Sequence, residues 1–260
     1  MATTALITGA STGIGYALSK CFAADHHDVI LVARHEAKLK QVAAELSGQF
    51  GVSARVIATD LAKPDAPQQI ADEVRQDSIH VDYLINNAGF GLGGKFAETA
   101  LTAELEMMQV NMVALVHLSK LFLPAMVARR QGKIMNVAST AAFQPGPLMA
   151  VYYATKAFVL SFTEAIANEL AGTGVTVTAL CPGPTQSEFQ RRAHIENTRL
   201  IKGKLIGLMS PAAVAQLGYR GLMQGKRLVI PGFINKLGVQ SVRLSPRRVT
   251  TQVARMLQES

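Results

Sequence analysis

Thr8-Gly9-Ala10-Ser11-Thr12-Gly13-Ile14-Gly15 is the stretch on which the reading of the chain turns. It leaves a short β-branched run, Thr3–Thr8, and enters an amphipathic pattern over Ile14–Ala24, so its glycines stand where a strand becomes a helix. Glycine tolerates the tight turn and lets a ligand come close to the backbone. The free N–H groups and positive dipole end of the helix favour an anion such as a diphosphate. The spacing is not GxGxxG, and no Gly-Lys-Ser/Thr follows, which argues against a P-loop. Outward from this turn the alternation continues. Asp28–Ala33, Ala54–Ala58, Tyr83–Asn86, Lys133–Val137, Val175–Leu180 and Leu228–Ile230 read as strands with apolar residues on both faces. Glu36–Leu46, Pro67–Gln76, Thr102–Arg130, Ala150–Ala171 and Pro211–Met223 read as helices between them. The order predicts an α/β fold, a doubly wound parallel sheet of about seven strands with helices on both faces. Ligands of such sheets bind beyond the carboxyl ends of the strands, where Gly and Pro cluster at Gly89–Gly94, Gln144–Pro147 and Pro182–Pro184. No linker or repeat divides the chain, so residues 1–260 read as one domain. A weaker, basic helical segment spans about 188–210, and extra helices occupy about 232–260.

At 260 residues, 49% apolar and 17% charged, the chain is large enough for a full core and too apolar for disorder. Two cysteines, Cys21 and Cys181, exclude a disulfide scaffold and a Cys-rich metal site, and no metal is expected. The opening MATTALITGA has no basic n-region, and no uninterrupted apolar run of about 18 residues follows. Neither a secretory signal nor a spanning helix is expected, and the chain reads as a reduced cytoplasmic protein. The net charge of +8 is unevenly placed. In residues 1–190, 13 Lys and Arg against 16 Asp and Glu give −3; in 191–260, 13 against 2 give +11. The excess suits an anionic partner (a phosphorylated cofactor, a CoA-linked substrate, a membrane surface) or a simple solvated face. Nucleic acid is not expected, because no finger, heptad or aromatic RNA-binding pattern accompanies the charge.

The residue leaving the second strand discriminates between nicotinamide cofactors. An acid there binds ribose hydroxyls, whereas a guanidinium meets a 2′-phosphate through charge-assisted hydrogen bonds. Here Val32-Ala33 is followed by Arg34, which favours NADP(H). Asp60-Leu61 and Asn86-Asn87-Ala88-Gly89 stand at the exits of the third and fourth strands. Tyr152 and Lys156 share a helix face at i, i+4, a geometry in which an ammonium favours the ionised form of a phenol. Ser139 closes the fifth strand, thirteen residues before the tyrosine, with a hydroxyl able to meet a carbonyl oxygen.

TGASTGIG, NNAG, Asn111, the Ser139–Tyr152–Lys156 set and Cys181-Pro182-Gly183 occur in the order of the short-chain dehydrogenase/reductases, and from Thr3 to about Phe189 the chain resembles that family. Within it, NNAGFG, NVASTAAFQPGP and VYYATKAFVLSF are most similar to the DltE-like reductases. The resemblance implies a Rossmann-type domain in which Tyr152 exchanges a proton with the substrate oxygen and Ser139 polarises the carbonyl. Lys156 lowers the tyrosine pKa and holds the nicotinamide ribose, and Asn111 holds a water that resupplies protons. It also implies a cofactor site formed by Gly9, Ser11, Thr12, Gly13, Ile14 and Gly15 at the pyrophosphate, Asp60 and Leu61 at the adenine, and Asn87, Ala88 and Gly89 at the central ribose. Pro182 and Gly183 follow, with Thr185 or Ser187 at the carboxamide. Tyr153, turned about 100° from Tyr152 on an ideal helix, is assigned no chemistry.

Ser139, Phe90, Phe143, Leu148, Met149 and Phe189, with Leu92, are the expected substrate contacts, drawn from segments 90–96, 140–150 and 184–209. They suit an apolar, bulky or aryl ketone reduced to an alcohol. Arg191 and Arg192 leave a 3-oxoacyl thioester as an alternative, and an NADP(H)-binding sensor or scaffold without turnover is the alternative from another class. Asn235–Leu257 interleaves Lys236, Arg243, Arg247, Arg248 and Arg255 with Leu and Val. Membrane attachment there is set against the break at Pro246, with packing between copies the favoured explanation. The family's habit implies a homodimer or homotetramer through the helices at 102–130 and 150–171.

Overall fold

The computed structural model describes residues 3–186, 188–193, 195–202 and 208–259. Its chain runs β1 (Thr4–Thr8), α1 (Gly13–Ala24), β2 (Asp28–Ala33), α2 (Glu36–Phe50), β3 (Ala54–Ala58), α3 (Ala66–Gln76) and β4 (Val81–Asn86). There follow α4 (Leu101–Met108), a π turn at Gln109–Val113, α5 (Ala114–Ala128), β5 (Gly132–Val137), a short 3-10 turn at Thr140–Phe143 and α6 (Ala150–Glu169). The last part comprises β6 (Val175–Leu180), α7 (Phe189–Arg192), α8 (Arg199–Lys202), α9 (Pro211–Met223), β7 (Leu228–Val229), α10 (Phe233–Leu244) and α11 (Arg247–Gln258).

The seven strands form one parallel sheet in the order β3-β2-β1-β4-β5-β6-β7. Each strand must be apolar on both sides because helices cover both. Ala5 and Ile7 of β1 pack with α1, α2 and α9 through Leu18, Phe22, Leu39, Leu46 and Leu222. Leu6, between them, points the other way to Ile70, Val74, Leu118 and Met126 of α3 and α5. The chain reverses its direction of travel between β1 and β4, and the crevice beyond their carboxyl ends is where such sheets bind ligands.

One expected element differs. The helix anticipated over 102–130 is interrupted by the π turn, and the run Leu101–Ala128, although long and apolar enough to span a bilayer, buries Met107, Leu115, Leu118 and Met126 in the fold. Pro246 breaks the C-terminal amphipathic stretch as expected, with α10 ending at Leu244 and α11 starting at Arg247. It is the N-cap of α11, where the missing N–H carries no penalty, so the stretch becomes two helices.

Candidate active site

The turn after β1 is shaped by hydrogen bonds to β4. Asn87 donates from Nδ2 to the Thr8 carbonyl (2.8 Å), and the amides of Asn87 and Ala88 donate to Thr8 Oγ1 at 3.0 and 2.9 Å. Gly9 has φ +66°, and a Cβ at Gly15 would collide with the Gly9 carbonyl and the Asn87 side chain. Any larger residue at Gly15 would push α1 off the turn. Arg34 lies at the exit of β2, more than half exposed, with Nη1 3.9 Å from Asp60 Oδ2. Asp60 itself accepts from the Ala62 amide at 3.0 Å.

Ser139 caps the 3-10 turn after β5, accepting from the Ala141 amide at 3.1 Å. Its hydroxyl also donates to the Pro182 carbonyl at 3.5 Å. Burial pushes the Tyr152 phenol above its ordinary range, and the neighbouring Ser139 hydroxyl opposes the rise. Four residues on, the Lys156 ammonium is buried, donates to the Val137 carbonyl at 2.9 Å and lies 5.8 Å from the centre of the Tyr152 ring. Burial lowers its pKa to about 8. Phenol, hydroxyl and ammonium therefore converge at the ends of β5 and the start of α6.

Asn111 stands in the π turn between α4 and α5, a distortion that often marks functional positions. Its Oδ1 accepts from the Phe90 amide (3.1 Å), while Nδ2 donates to the Phe90 carbonyl (3.0 Å) and to Thr155 Oγ1 (3.1 Å). The side chain thus ties the loop after β4 to α6. A second link was not legible in the sequence, where Asn86 and Asn136 read as ordinary strand-end residues. Asn86 Nδ2 donates to Ser119 Oγ (3.1 Å) and Asn136 Oδ1 (2.9 Å), and Asn136 Nδ2 donates to Thr163 Oγ1 of α6 (3.0 Å). This buried chain fixes the helix of Tyr152 against the sheet.

A cavity of about 820 Å³ joins the two regions. Of the residues singled out from the sequence, Gly9, Ser11, Thr12, Gly13, Ile14, Arg34, Asp60, Leu61, Asn87, Ala88 and Gly89 line it. So do Phe90, Ser139, Met149, Tyr152, Lys156, Pro182, Gly183, Thr185 and Phe189. Gly15 and Asn111 lie behind its wall. Phe143 and Leu148 are not on it, contrary to the sequence-based expectation, and neither is Leu92. Phe143 packs on Leu115, Ala138, Val159 and Leu160 instead. Leu148 adopts φ +67° in the turn before α6, where its carbonyl accepts from Gly94 at 2.8 Å. Ser187 lies outside the described residues.

The wall that sequence reasoning missed is the C-terminal pair of helices. Asn235, Val239 and Val242 of α10 and Ala254, Leu257 and Gln258 of α11 line the cavity. Gln258 donates to the Tyr153 hydroxyl at 2.8 Å, so Tyr153, turned from its neighbour, anchors the last helix over the site. The other amide atom, Gln258 Oε1, is buried without a partner among the described residues. A Cβ at Gly183 would strike Asn235, which shows how closely α10 lies on the loop after β6. The amphipathic pattern over 232–260 signalled the helices but not what they cover.

The chain matches the short chain dehydrogenase family over residues 3–197. A short chain dehydrogenase of Pseudocercospora fijiensis is 35% identical over 188 residues, 72% of this chain and 60% of that protein. The ketoacyl reductase HetN of a Nostoc species is 32% identical over 212 residues, 82% of this chain and 72% of that one. The short-chain dehydrogenase from Sphingobium yanoikuyae in complex with NADPH superposes with a TM-score of 0.83 at 31% identity, covering 93% of this chain and 94% of that one. The bulky-bulky ketone specific alcohol dehydrogenase from Comamonas testosteroni gives 0.78 at 27%, covering 93% and 92%. With the match running through both the glycine turn and the Ser139–Tyr152–Lys156 cluster, the chain belongs to the short chain dehydrogenase family.

Proposed function

We propose that this protein binds NADP(H) and reduces a bulky, apolar ketone to an alcohol, reversibly. The observation that carries the reading is the cavity that joins the glycine turn and Arg34 to the hydroxyls of Ser139 and Tyr152. The residues present fit the cofactor: a cradle at Gly9 and Gly15 that a Cβ would fill, and an exposed guanidinium at the end of β2 for a 2′-phosphate. When bound, the cofactor supplies a hydride. The chain does the rest. Ser139 and Tyr152 receive the carbonyl oxygen, and Tyr152, protonated at neutral pH, gives it a proton. The Lys156 ammonium stabilises the phenolate left behind, and Asn111 holds the loop and helix on which these groups stand. Phe90, Met149, Phe189, Val239 and Leu257 exclude water and accommodate an apolar substrate.

The naming of HetN as a ketoacyl reductase supports a 3-oxoacyl thioester as the second reading. Arg192 lies on the cavity but is engaged by Glu188 at 2.8 Å, which favours the uncharged ketone. The deciding experiment is NADPH oxidation against aryl ketones, steroid-like ketones, quinones and 3-oxoacyl thioesters, with NADH as control. Turnover of bulky ketones with NADPH is expected. Tight NADPH binding with no carbonyl reduced would instead make the protein an NADP(H)-dependent binding protein.

A further inference from the structure

The two C-terminal helices carry more apolar surface than the cavity uses. Seven of the thirteen exposed large apolar side chains among the described residues lie on α10 and α11. Phe233, Leu237 and Leu244 run along α10 at 74%, 55% and 88% exposure; Val249, Val253 and Met256 run along α11 at 48%, 43% and 51%. The second set is spaced i, i+4, i+7, one stripe of a helix, and α11 buries its opposite face through Thr250, Ala254 and Gln258. Ile234 and Val253 are exposed and also line the cavity, which puts both on its rim and brings the two stripes together there. The charged residues of α10 and α11 are Lys236, Arg243, Arg247, Arg248 and Arg255, all exposed; Arg255 is paired with Glu259 at 3.0 Å, and the other four form no ion pair among the described residues.

We propose that this face docks on an anionic lipid bilayer, its apolar stripes seated at the boundary of headgroups and acyl chains, its cations against lipid phosphates, and the cavity rim turned to the membrane. The charge selects the partner. Two copies of the chain meeting through this face would set the four unpaired cations of one against the four of the other, with Glu259 already engaged by Arg255. An uncharged bilayer would leave the cations unmatched, whereas an anionic one meets both the apolar and the cationic components. Pro246 separates the two helices, starting α11 after α10 ends at Leu244, so that each presents its own stripe. The proposal does not depend on which carbonyl compound is reduced, or on turnover at all.

The test is cosedimentation of the full chain with phosphatidylcholine vesicles, with and without phosphatidylglycerol, at low and high salt. Binding is expected to the anionic vesicles, with release as salt screens the charges. The pairs Phe233→Asp/Leu244→Asp and Arg247→Glu/Arg248→Glu should each lower vesicle binding by about tenfold or more, with melting temperature and light-scattering mass unchanged. These four side chains lie off the cavity, so folding and the site are preserved. Equal binding to neutral and anionic vesicles, or none to either, would overturn the proposal. So would a fall in light-scattering mass on introducing the aspartates, which would identify the face as a contact between copies, and so would a loss confined to the charge reversals.

Discussion

Burial moves Tyr152 and Lys156 in opposite directions, the phenol up and the ammonium down to about 8, because each resists becoming or remaining charged away from water. In the reducing direction this keeps the tyrosine protonated through neutrality while the lysine is still cationic. As pH rises through about 8 the lysine loses its proton, and with it the charge that favours phenolate. The kcat/KM for reduction should therefore be level below about pH 8 and decline above it, a profile that a pH series of NADPH oxidation checks. Stability should run the other way in the ligand-free protein. Between about 8 and the free-lysine value of 10.5 the unfolded chain holds a proton the fold has shed, so the cost of the buried charge is relieved as pH rises. Melting curves should show this rise relative to Lys156→Met. Tyr152→Phe should reduce turnover by about 10²–10⁴ while NADPH binding, followed by fluorescence, is retained. Arg34→Asp should weaken NADPH binding by about 1.5–3 kcal/mol, one to two powers of ten, and leave NADH binding less affected. Tyr152 and Lys156 were legible in the sequence through their shared helix face and their place in the family's order of motifs, and Arg34 through its place at the exit of the second strand. Phe143 was not, because its distance along the chain from Ser139 says nothing of the side of the 3-10 turn on which it packs.

At the scale of elements, α6 is positioned by polar chains rather than by packing alone. Asn136 reaches Thr163 and Asn111 reaches Thr155, so two successive parts of the helix are tied to the sheet and to the loop after β4. Asn111→Ala would leave both polar atoms of the Phe90 backbone and the Thr155 hydroxyl to find other partners. It is expected to cost about 1–3 kcal/mol in urea denaturation and to lower kcat more than it raises KM, since Thr155 in turn bonds the Tyr152 carbonyl at 2.7 Å. The strands and most helices were legible from their periods of two and of three to four residues. The π turn was not, because an added residue in one turn leaves the apolar pattern of 102–130 nearly unchanged.

For the whole molecule, Leu101, Leu105 and Val113 are exposed along α4 and the following turns, and Phe158 stacks on Phe162 on α6 at 5.9 Å and 4°. Pairing of copies through these helices is expected to give a light-scattering mass that is a multiple of 27.8 kDa, and Leu105→Glu to reduce it. The C-terminal wall was the part least legible in the sequence. Amphipathicity reports that a helix has a buried face, but the partner of that face is fixed by the hydrogen bond from Gln258 to Tyr153, across 105 positions of sequence. That separation also orders events during synthesis. Chains leave the ribosome N-terminus first, at about 5–20 residues per second, so the strands and the glycine turn are available before α10 and α11 exist. A nascent chain halted ahead of Phe233 would present an open cleft able to take up a dinucleotide, and the helices emerging later would close the substrate half around it.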